Sequence, residues 1–170
     1  PDILAKMSGK DNPQMLLGAY RQPRAALEEL DRTTAPLWMV AQSLRDPGNI
    51  GTILRTGDAV GAGGLILLDD SADPYSVEAV RASMGAIFTQ RVASARWPEF
   101  LAWLRGGPGQ LVGTSLRTEQ DYLTATYEQP SFLLIGNEQA GLPAEYEAAC
   151  DLLVKIPMAG RADSLNAAVA

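Results

Sequence analysis

The sequence predicts an α/β fold, with an open, mostly parallel sheet flanked by helices. From Leu37 onward, short runs of mostly consecutive apolar residues alternate with helix-like segments. Consecutive apolar residues are typical of parallel strands, because helices cover both faces of such a sheet. Strands and helices that alternate along a chain form right-handed βαβ units. The 170 residues are also enough for one domain with a sizeable core.

The elements are assigned in order along this part of the chain. Six apolar runs are predicted to be strands: LWMVAQSL (37–44), LILLDD (65–70), QRVAS (90–94), QLVGTSL (110–116), FLLIG (132–136) and LLVKIP (152–157). Four segments between them are predicted to be helices: 49–60, 76–86, 98–105 and 143–149. Asn49 and Ser76 are expected to cap two of these helices, because their side chains accept hydrogen bonds from free backbone amides.

The two ends of the chain differ from the middle. Residues 8–36 are polar and interrupted by three prolines, with one predicted helix over 23–30. We therefore expect residues 1–36 to be a lead-in or linker segment, and the folded domain to span 37–170. The final residues, DSLNAAVA, are predicted to begin a capped helix that is cut short at residue 170.

Composition excludes several classes of site. Histidine is absent, which rules out Ser-His and Cys-His catalysis and histidine metal ligands. The single cysteine, Cys150, has no partner for an intrachain disulfide, which suits a reducing cytoplasm. The net charge of −6 has the wrong sign for bulk attraction to a polyanion, so any nucleic-acid contact is expected to be local. No apolar run approaches the ~20 residues of a membrane span, so a soluble protein is expected.

The stretch RDPGNIGTILRT, residues 45–56, has two interpretations. The plainer one is a strand-to-helix turn whose Arg55 is solvated. The other is a nucleotide-binding loop, because Asp69 and Asp70 end the next strand at about the 20-residue spacing of a dinucleotide fold's ribose-binding acid. The complete Gly-x-Gly-x-x-Gly pattern is absent.

The stretch FLLIGNEQAGLP brings polar residues to the end of a buried strand. Gly136, Asn137 and Glu138 follow that strand directly, and ligands bind at the carboxyl ends of strands in open α/β sheets. An ordinary tight loop with a surface glutamate fits the same residues. Downstream, Pro143 starts a predicted helix with Glu145 in its first turn.

Two further stretches combine polar residues with a helix terminus. In IPMAGRADSLNAAVA, Ser164 is a good helix cap, and the preceding glycine loop has backbone groups able to bind an adenine or amino-acid moiety. In DPYSVEAVRASMGAIF, Arg81 and Ser83 precede Gly85. These two are either part of an ordinary amphipathic helix or phosphate contacts beside Arg55.

Taken together and in this order, the four stretches resemble the SpoU (TrmH-type) branch of the SPOUT RNA methyltransferases. DPGNIGTILRT resembles the family's first motif, LLIGNEQAGL its second and IPMAGRADSLNAAVA its third, over about residues 37–170. The resemblance implies a deep C-terminal trefoil knot, bound S-adenosylmethionine, a homodimer and methylation of a ribose 2′-hydroxyl in tRNA or rRNA. It also implies that an RNA-binding domain preceding this segment in many relatives is missing here.

The resemblance also implies roles for individual residues. The cofactor pocket would be formed by Thr114, Ser115, Gly136, Ile156, Met158 and Leu165. The catalytic set would be Arg55, Asn49, Glu138, Ser164 and Asn166, with no metal, and Arg55, Arg81 and Ser83 would contact RNA. A guanidinium with a pKa above ~12 is a poor base at neutral pH, so Arg55 is assigned to bind the substrate phosphate and stabilise the developing alkoxide. Glu138 is the candidate proton acceptor, through water.

The sequence leaves two alternative functions open. An unknotted nucleotide-binding Rossmann enzyme would depend on Asp69 and Asp70 and would not need the SLN triplet. A non-enzymatic dimeric RNA-binding module would have no evident need for Arg55, Glu138 and Asn166 together. Binding of S-adenosylmethionine but not NAD would separate the first alternative from the methyltransferase.

Overall fold

In the part of the chain that the structure describes, six strands form one sheet, and every pair of neighbouring strands is parallel. A computed structural model describes residues 2–9, 16, 18–160 and 165–170. The strands are β1 Leu37–Gln42, β2 Gly64–Leu68, β3 Arg91–Ala95, β4 Gln110–Thr114, β5 Ser131–Ile135 and β6 Leu152–Val154. They lie in the order β3-β2-β1-β5-β4-β6. This arrangement confirms the predicted open parallel sheet and all six predicted strands.

Helices connect most of the strands. Their bounds are α1 Asp2–Ser8, α2 Pro47–Ala59, α3 Val77–Ala82, α4 Trp97–Arg105 and α5 Ala144–Ala149. Short 3-10 turns occur at Leu27–Glu29, Arg32–Thr34 and Ala86–Phe88. The four helices predicted after residue 37 are confirmed, although α3 ends earlier than predicted. The helix predicted over 23–30 is wrong, because in that range only the 3-10 turn is helical.

The strand order creates a switch point between β1 and β5. The chain first moves outward from β1 through β2 to β3, and then places β5 on the other side of β1. Loops that follow β1 and β5 therefore leave the same edge of the sheet in opposite directions. Such a crevice at the carboxyl edge is the usual ligand-binding position in open α/β sheets.

Each face of the sheet is covered by its own layer. On one face, Trp38 and Val40 of β1 pack in a buried cluster with α4 and α5 residues such as Phe100 and Tyr146. On the other face, Met39 and Ala41 of β1 pack with the apolar side of α2. Alternate residues of β1 thus face opposite layers, as the two-residue period of a strand requires.

Part of the predicted linker belongs to the folded core. Leu27 and Leu30 are buried, and Ala25 pairs with Ala93 beside β3. Arg32 donates hydrogen bonds to the Trp103 and Leu104 carbonyl oxygens at 2.7 and 2.9 Å, and its guanidinium lies 3.9 Å from the centre of a Trp103 ring. The side chain of Arg32 therefore anchors this stretch to carbonyl oxygens in the last turn of α4.

The start of α2 corrects the predicted capping residue. Asp46, not Asn49, caps the helix, because its carboxylate accepts hydrogen bonds from the backbone amides of Gly48 and Asn49 at 2.7 and 3.4 Å. Pro47 occupies the first turn, where its missing amide proton costs nothing. The Asn49 side chain is thereby released for a contact elsewhere. Ser76 caps α3 as predicted, accepting a hydrogen bond from the Ala79 amide.

Gly51 lies where α2 and α3 pack closely against each other. A methyl group at Gly51 would lie 2.2 Å from the Ala79 carbonyl oxygen and 2.6 Å from the Ala82 side chain. We expect Gly51→Ala to lower the free energy of unfolding by about 1–3 kcal/mol, because the helices must separate. Urea denaturation would measure this change.

Gly57→Ala is the matched control on the same helix. A methyl group there would meet its nearest neighbour at 3.5 Å, an ordinary contact. We expect a neutral effect or stabilisation by up to about 1 kcal/mol, from the higher helix propensity of alanine. Equal effects of the two substitutions would show that close packing at Gly51 is unimportant.

Candidate active site

A cavity of about 370 Å³ lies at the carboxyl edge of the sheet, beside the switch point. Its walls come from the ends of β4, β5 and β6 and from the last residues of the chain. All six residues predicted to bind a cofactor line it: Thr114, Ser115, Gly136, Ile156, Met158 and Leu165. Three segments distant in sequence thus converge where the sequence predicted a pocket.

The loop after β5 turns back tightly at Gly136. A methyl group at Gly136 would lie 2.4 Å from the Gly141 carbonyl carbon and 2.6 Å from the Leu142 amide nitrogen. Backbone atoms cannot yield to such a group, so this position requires glycine. Asn137 holds the turn, since its side-chain oxygen accepts hydrogen bonds from the Gln139 and Ala140 amides.

Two amide side chains hold the Glu138 carboxylate across the switch point. Asn49 of α2 donates a 3.1 Å hydrogen bond to one Glu138 oxygen, and Asn137 lies 3.4 Å from the other. Asn137 also donates to the Ser43 carbonyl oxygen after β1, at 2.9 Å. Asn49 is 7% exposed, and Glu138 lines the cavity. The structure therefore brings two predicted catalytic residues into direct contact.

Arg55 lies on α2, less than two turns beyond Asn49. Its side chain is exposed and is not among the residues that line the cavity. The residue is consequently available to a ligand that approaches α2 from solvent. The structure places it on the helix that also supplies Asn49, but it does not bring it into the cavity wall.

The remaining predicted catalytic residues lie at the end of the chain. Ser164 falls outside the described residues. Asn166 is exposed, and its side-chain oxygen accepts a 2.8 Å hydrogen bond from the Ala168 amide. Residues 167–169 form a turn at the position where a helix was predicted to begin.

Arg81 and Ser83 occupy very different environments. Arg81 is exposed and donates a hydrogen bond to the Ser8 carbonyl oxygen of α1 at 3.0 Å. Ser83 is fully buried, and its hydroxyl donates to the Val80 carbonyl oxygen at 2.8 Å. A side chain with no exposed surface cannot contact RNA in this conformation. The expected role of Ser83 is therefore replaced by a structural one at the end of α3.

Sequence reasoning missed two charged residues of the cavity. Arg117 and Glu147 both line it and form an ion pair with a nitrogen–oxygen distance of 3.0 Å. Glu147 also accepts a hydrogen bond from the Ser115 hydroxyl. No local motif marks either residue, because the contact joins positions about 30 residues apart.

The aspartates that would support a dinucleotide site have other roles. Asp69 accepts a hydrogen bond from the Trp97 amide at 3.1 Å and one from the Tyr146 hydroxyl at 2.5 Å. Burial, reinforced by the Asp69 contact, raises the pKa of Tyr146. Asp70 is exposed and lies 4.0 Å from Arg45. The geometry of Asp69 is that of a structural residue.

Cys150 lies near the cavity wall but is unsuited to nucleophilic catalysis. Burial, with smaller contributions from Asp151 and Glu147, raises the pKa of its thiol to about 12. The thiolate is the reactive form of cysteine, and it is scarce at neutral pH when the pKa is this high. Its sulfur donates weakly to the Tyr146 carbonyl oxygen, which is consistent with a packing role.

The described part of the chain offers neither a metal-binding cluster nor a membrane-spanning helix. No cluster of three or more histidine, cysteine, aspartate or glutamate side chains there has the geometry to hold a metal ion. Among the described helices, none combines the length and apolarity needed to cross a membrane.

Two curated relatives resemble this chain in sequence over nearly its whole length. A curated relative, the 23S rRNA (uridine(2479)-2′-O)-methyltransferase of Streptomyces viridochromogenes, is 37% identical over 175 residues, covering 99% of this chain and 61% of the relative. The 23S rRNA (guanosine(2553)-2′-O)-methyltransferase RlmP of Bacillus subtilis is 30% identical, covering 99% of this chain and 66% of the relative. The chain thus spans somewhat less than two thirds of these proteins.

A solved structure and a family model point the same way. The AdoMet-bound rRNA methyltransferase from Sinorhizobium meliloti superimposes with a TM-score of 0.95 at 43% identity, over 99% of this chain and 65% of that one. The model of the SpoU rRNA Methylase family matches residues 36–170. With most of its length inside that match, the chain belongs to the SpoU rRNA methylase family.

Proposed function

We propose that this chain forms the catalytic domain of an S-adenosylmethionine-dependent methyltransferase acting on a ribose 2′-hydroxyl of rRNA or tRNA. One observation carries the proposal. The hydrogen bond between Asn49 and Glu138 joins the helix of Arg55 to a cavity of cofactor size. The relatives named as rRNA 2′-O-methyltransferases support the reaction type.

The cavity fits the cofactor in size and chemistry. Its volume of about 370 Å³ lies within the ~300–1,000 Å³ typical of small-molecule sites. Ile156, Met158 and Leu165 offer apolar surface, while the close turn at Gly136 brings backbone polar groups to the wall. When bound, S-adenosylmethionine supplies a methyl group activated by its own sulfonium charge, so the proposal needs no metal.

The proposed role of Arg55 is to bind the RNA. Its guanidinium offers forked hydrogen bonds to a phosphate and stabilises negative charge that develops on the ribose oxygen. Glu138 accepts the hydroxyl proton through water, and Asn49 fixes the orientation of its carboxylate. Ser164 and Asn166 orient the ribose. Because the net charge of −6 opposes bulk attraction to RNA, the RNA contacts are local and involve Arg55 and Arg81, and a separate RNA-binding region would add affinity.

The assembly and the chain path are also part of the proposal. We propose a C-terminal trefoil knot, which the high structural similarity to SpoU proteins supports. We further propose a homodimer that works in the cytoplasm. Exposed apolar side chains near the cavity, Leu116, Leu165 and Val169, are suitable for burial against a second copy.

The role of Arg55 predicts a separation of binding from chemistry. We expect Arg55→Ala to lower kcat/KM for RNA methylation by about 100-fold or more, the usual cost of removing a charge-stabilising donor. Its Kd for S-adenosylmethionine should stay unchanged, because Arg55 does not line the cavity. Transfer of labelled methyl groups and calorimetry would measure the two quantities.

Arg96→Ala provides the matched control, since Arg96 is an exposed arginine preceding α4. We expect wild-type activity from this variant. Unchanged methylation by Arg55→Ala would refute the assigned role of Arg55. Absence of S-adenosylmethionine binding by the unmodified protein would refute the proposed function itself.

The role of Glu138 predicts that its carboxylate is needed for the chemical step. We expect Glu138→Gln to lower kcat by about 100-fold, because an amide cannot accept the hydroxyl proton. Transfer of labelled methyl groups at saturating substrates would measure kcat. A variant that keeps the kcat of the unmodified protein would show that another group accepts the proton.

A further inference from the structure

The carboxylate of Glu147 joins separate parts of the cavity wall. Glu147 projects from α5 and accepts a hydrogen bond from the hydroxyl of Ser115, just after β4. The same carboxylate pairs with the Arg117 guanidinium. The Nε atom of Arg117 lies 3.0 Å from one carboxylate oxygen and 3.2 Å from the other. One side chain therefore fixes two residues of the loop that leaves β4.

Arg117 extends this connection to the loop that follows β5. A second guanidinium nitrogen of Arg117 donates a 2.9 Å hydrogen bond to the Leu142 carbonyl oxygen. Leu142 is buried and adjoins Gly141, against which Gly136 turns. The chain of contacts from Glu147 through Arg117 thus reaches the glycine turn that forms another part of the cavity wall.

The environment of Glu147 indicates a fixed carboxylate. Its side chain is 13% exposed, whereas that of Arg117 is 62% exposed. A largely buried carboxylate needs its hydrogen-bond donors to offset lost hydration, so it holds them in place. The Ser115 hydroxyl is also bonded from the other side, by the Arg117 backbone amide at 3.0 Å. These mutual contacts leave the loop after β4 little freedom.

We infer that Glu147 is a positioning residue, which holds the β4 and β5 loops at the spacing that S-adenosylmethionine requires. This inference rests on the proposed function, since it concerns the same cavity. Glu147 acts through Ser115, Arg117 and Leu142 and does not take part in methyl transfer. Its loss should weaken cofactor binding and leave the chemical step unchanged.

The test compares Glu147→Gln and Glu147→Ala with Glu145→Gln, a control on the exposed side of the same helix. Calorimetry would give the Kd for S-adenosylmethionine and, separately, for S-adenosylhomocysteine, which lacks the sulfonium charge. We expect Kd for both ligands to rise about threefold to tenfold in Glu147→Gln and more in Glu147→Ala, as for loss of a partly buried ionic hydrogen bond. The control should match the unmodified protein.

Activity adds a second readout. In Glu147→Gln, the KM for S-adenosylmethionine should rise while kcat at saturation stays within about twofold of the unmodified protein, because only a ground-state arrangement has changed. Arg117→Lys should retain most of the affinity that Arg117→Gln loses, since the lysine keeps a charge for Glu147. If Glu147→Ala fails to fold, Glu147→Gln and the two Arg117 variants still decide the matter.

Three outcomes would overturn the inference. Unchanged Kd values in both Glu147→Gln and Arg117→Gln would show that the pair is irrelevant to the cavity. A loss confined to S-adenosylmethionine, with S-adenosylhomocysteine bound normally, would mean that Glu147 acts directly on the cofactor's charge. A fall in kcat alone would place Glu147 in the chemical step. Failure of the unmodified protein to bind either ligand would refute the proposed function instead.

Discussion

The parallel pairing of β1 with β5 is the constraint on which the site depends. It makes the loops after these strands neighbours, although Asn49 and Glu138 are 89 residues apart in sequence. Asn137 reinforces the junction by donating to the Ser43 carbonyl oxygen across the two strand ends. Parallel neighbours need long connections, so this contact joins residues that lie far apart in sequence. The candidate site thus depends on the completed sheet.

The cavity depends on backbone proximity as much as on side chains. Gly136 permits the loop after β5 to double back on Gly141, and the turn is held by the amide group of Asn137. A wall built from backbone can present fixed donors and acceptors without the conformational freedom of long side chains. The Glu147 carboxylate supplements this wall from α5 through Ser115 and Arg117.

Much of the fold was predictable from the sequence, for identifiable reasons. The strands are buried on both faces, so their apolar runs stand out, and Ser76 and the turn glycines mark element boundaries. The Asn49 cap was wrong because Asp46 is an equally good capping residue, and Pro47 in the first turn decides between them. Leu27 and Leu30 were missed because two apolar residues in a polar stretch carry no periodic signal. Glu147 resembles any solvated helix glutamate until its distant partners are known.

The attachment of Arg32 to the end of α4 has a consequence for how the protein tolerates change. Arg32 and Trp103 lie near the start of β4, at the edge of the sheet opposite the cavity, and Trp38 donates to the Arg32 carbonyl oxygen at the same edge. This anchoring contact and the cavity therefore lie at opposite ends of the strands. Substitutions at the amino-terminal edge are expected to change the free energy of unfolding more than the geometry of the cavity.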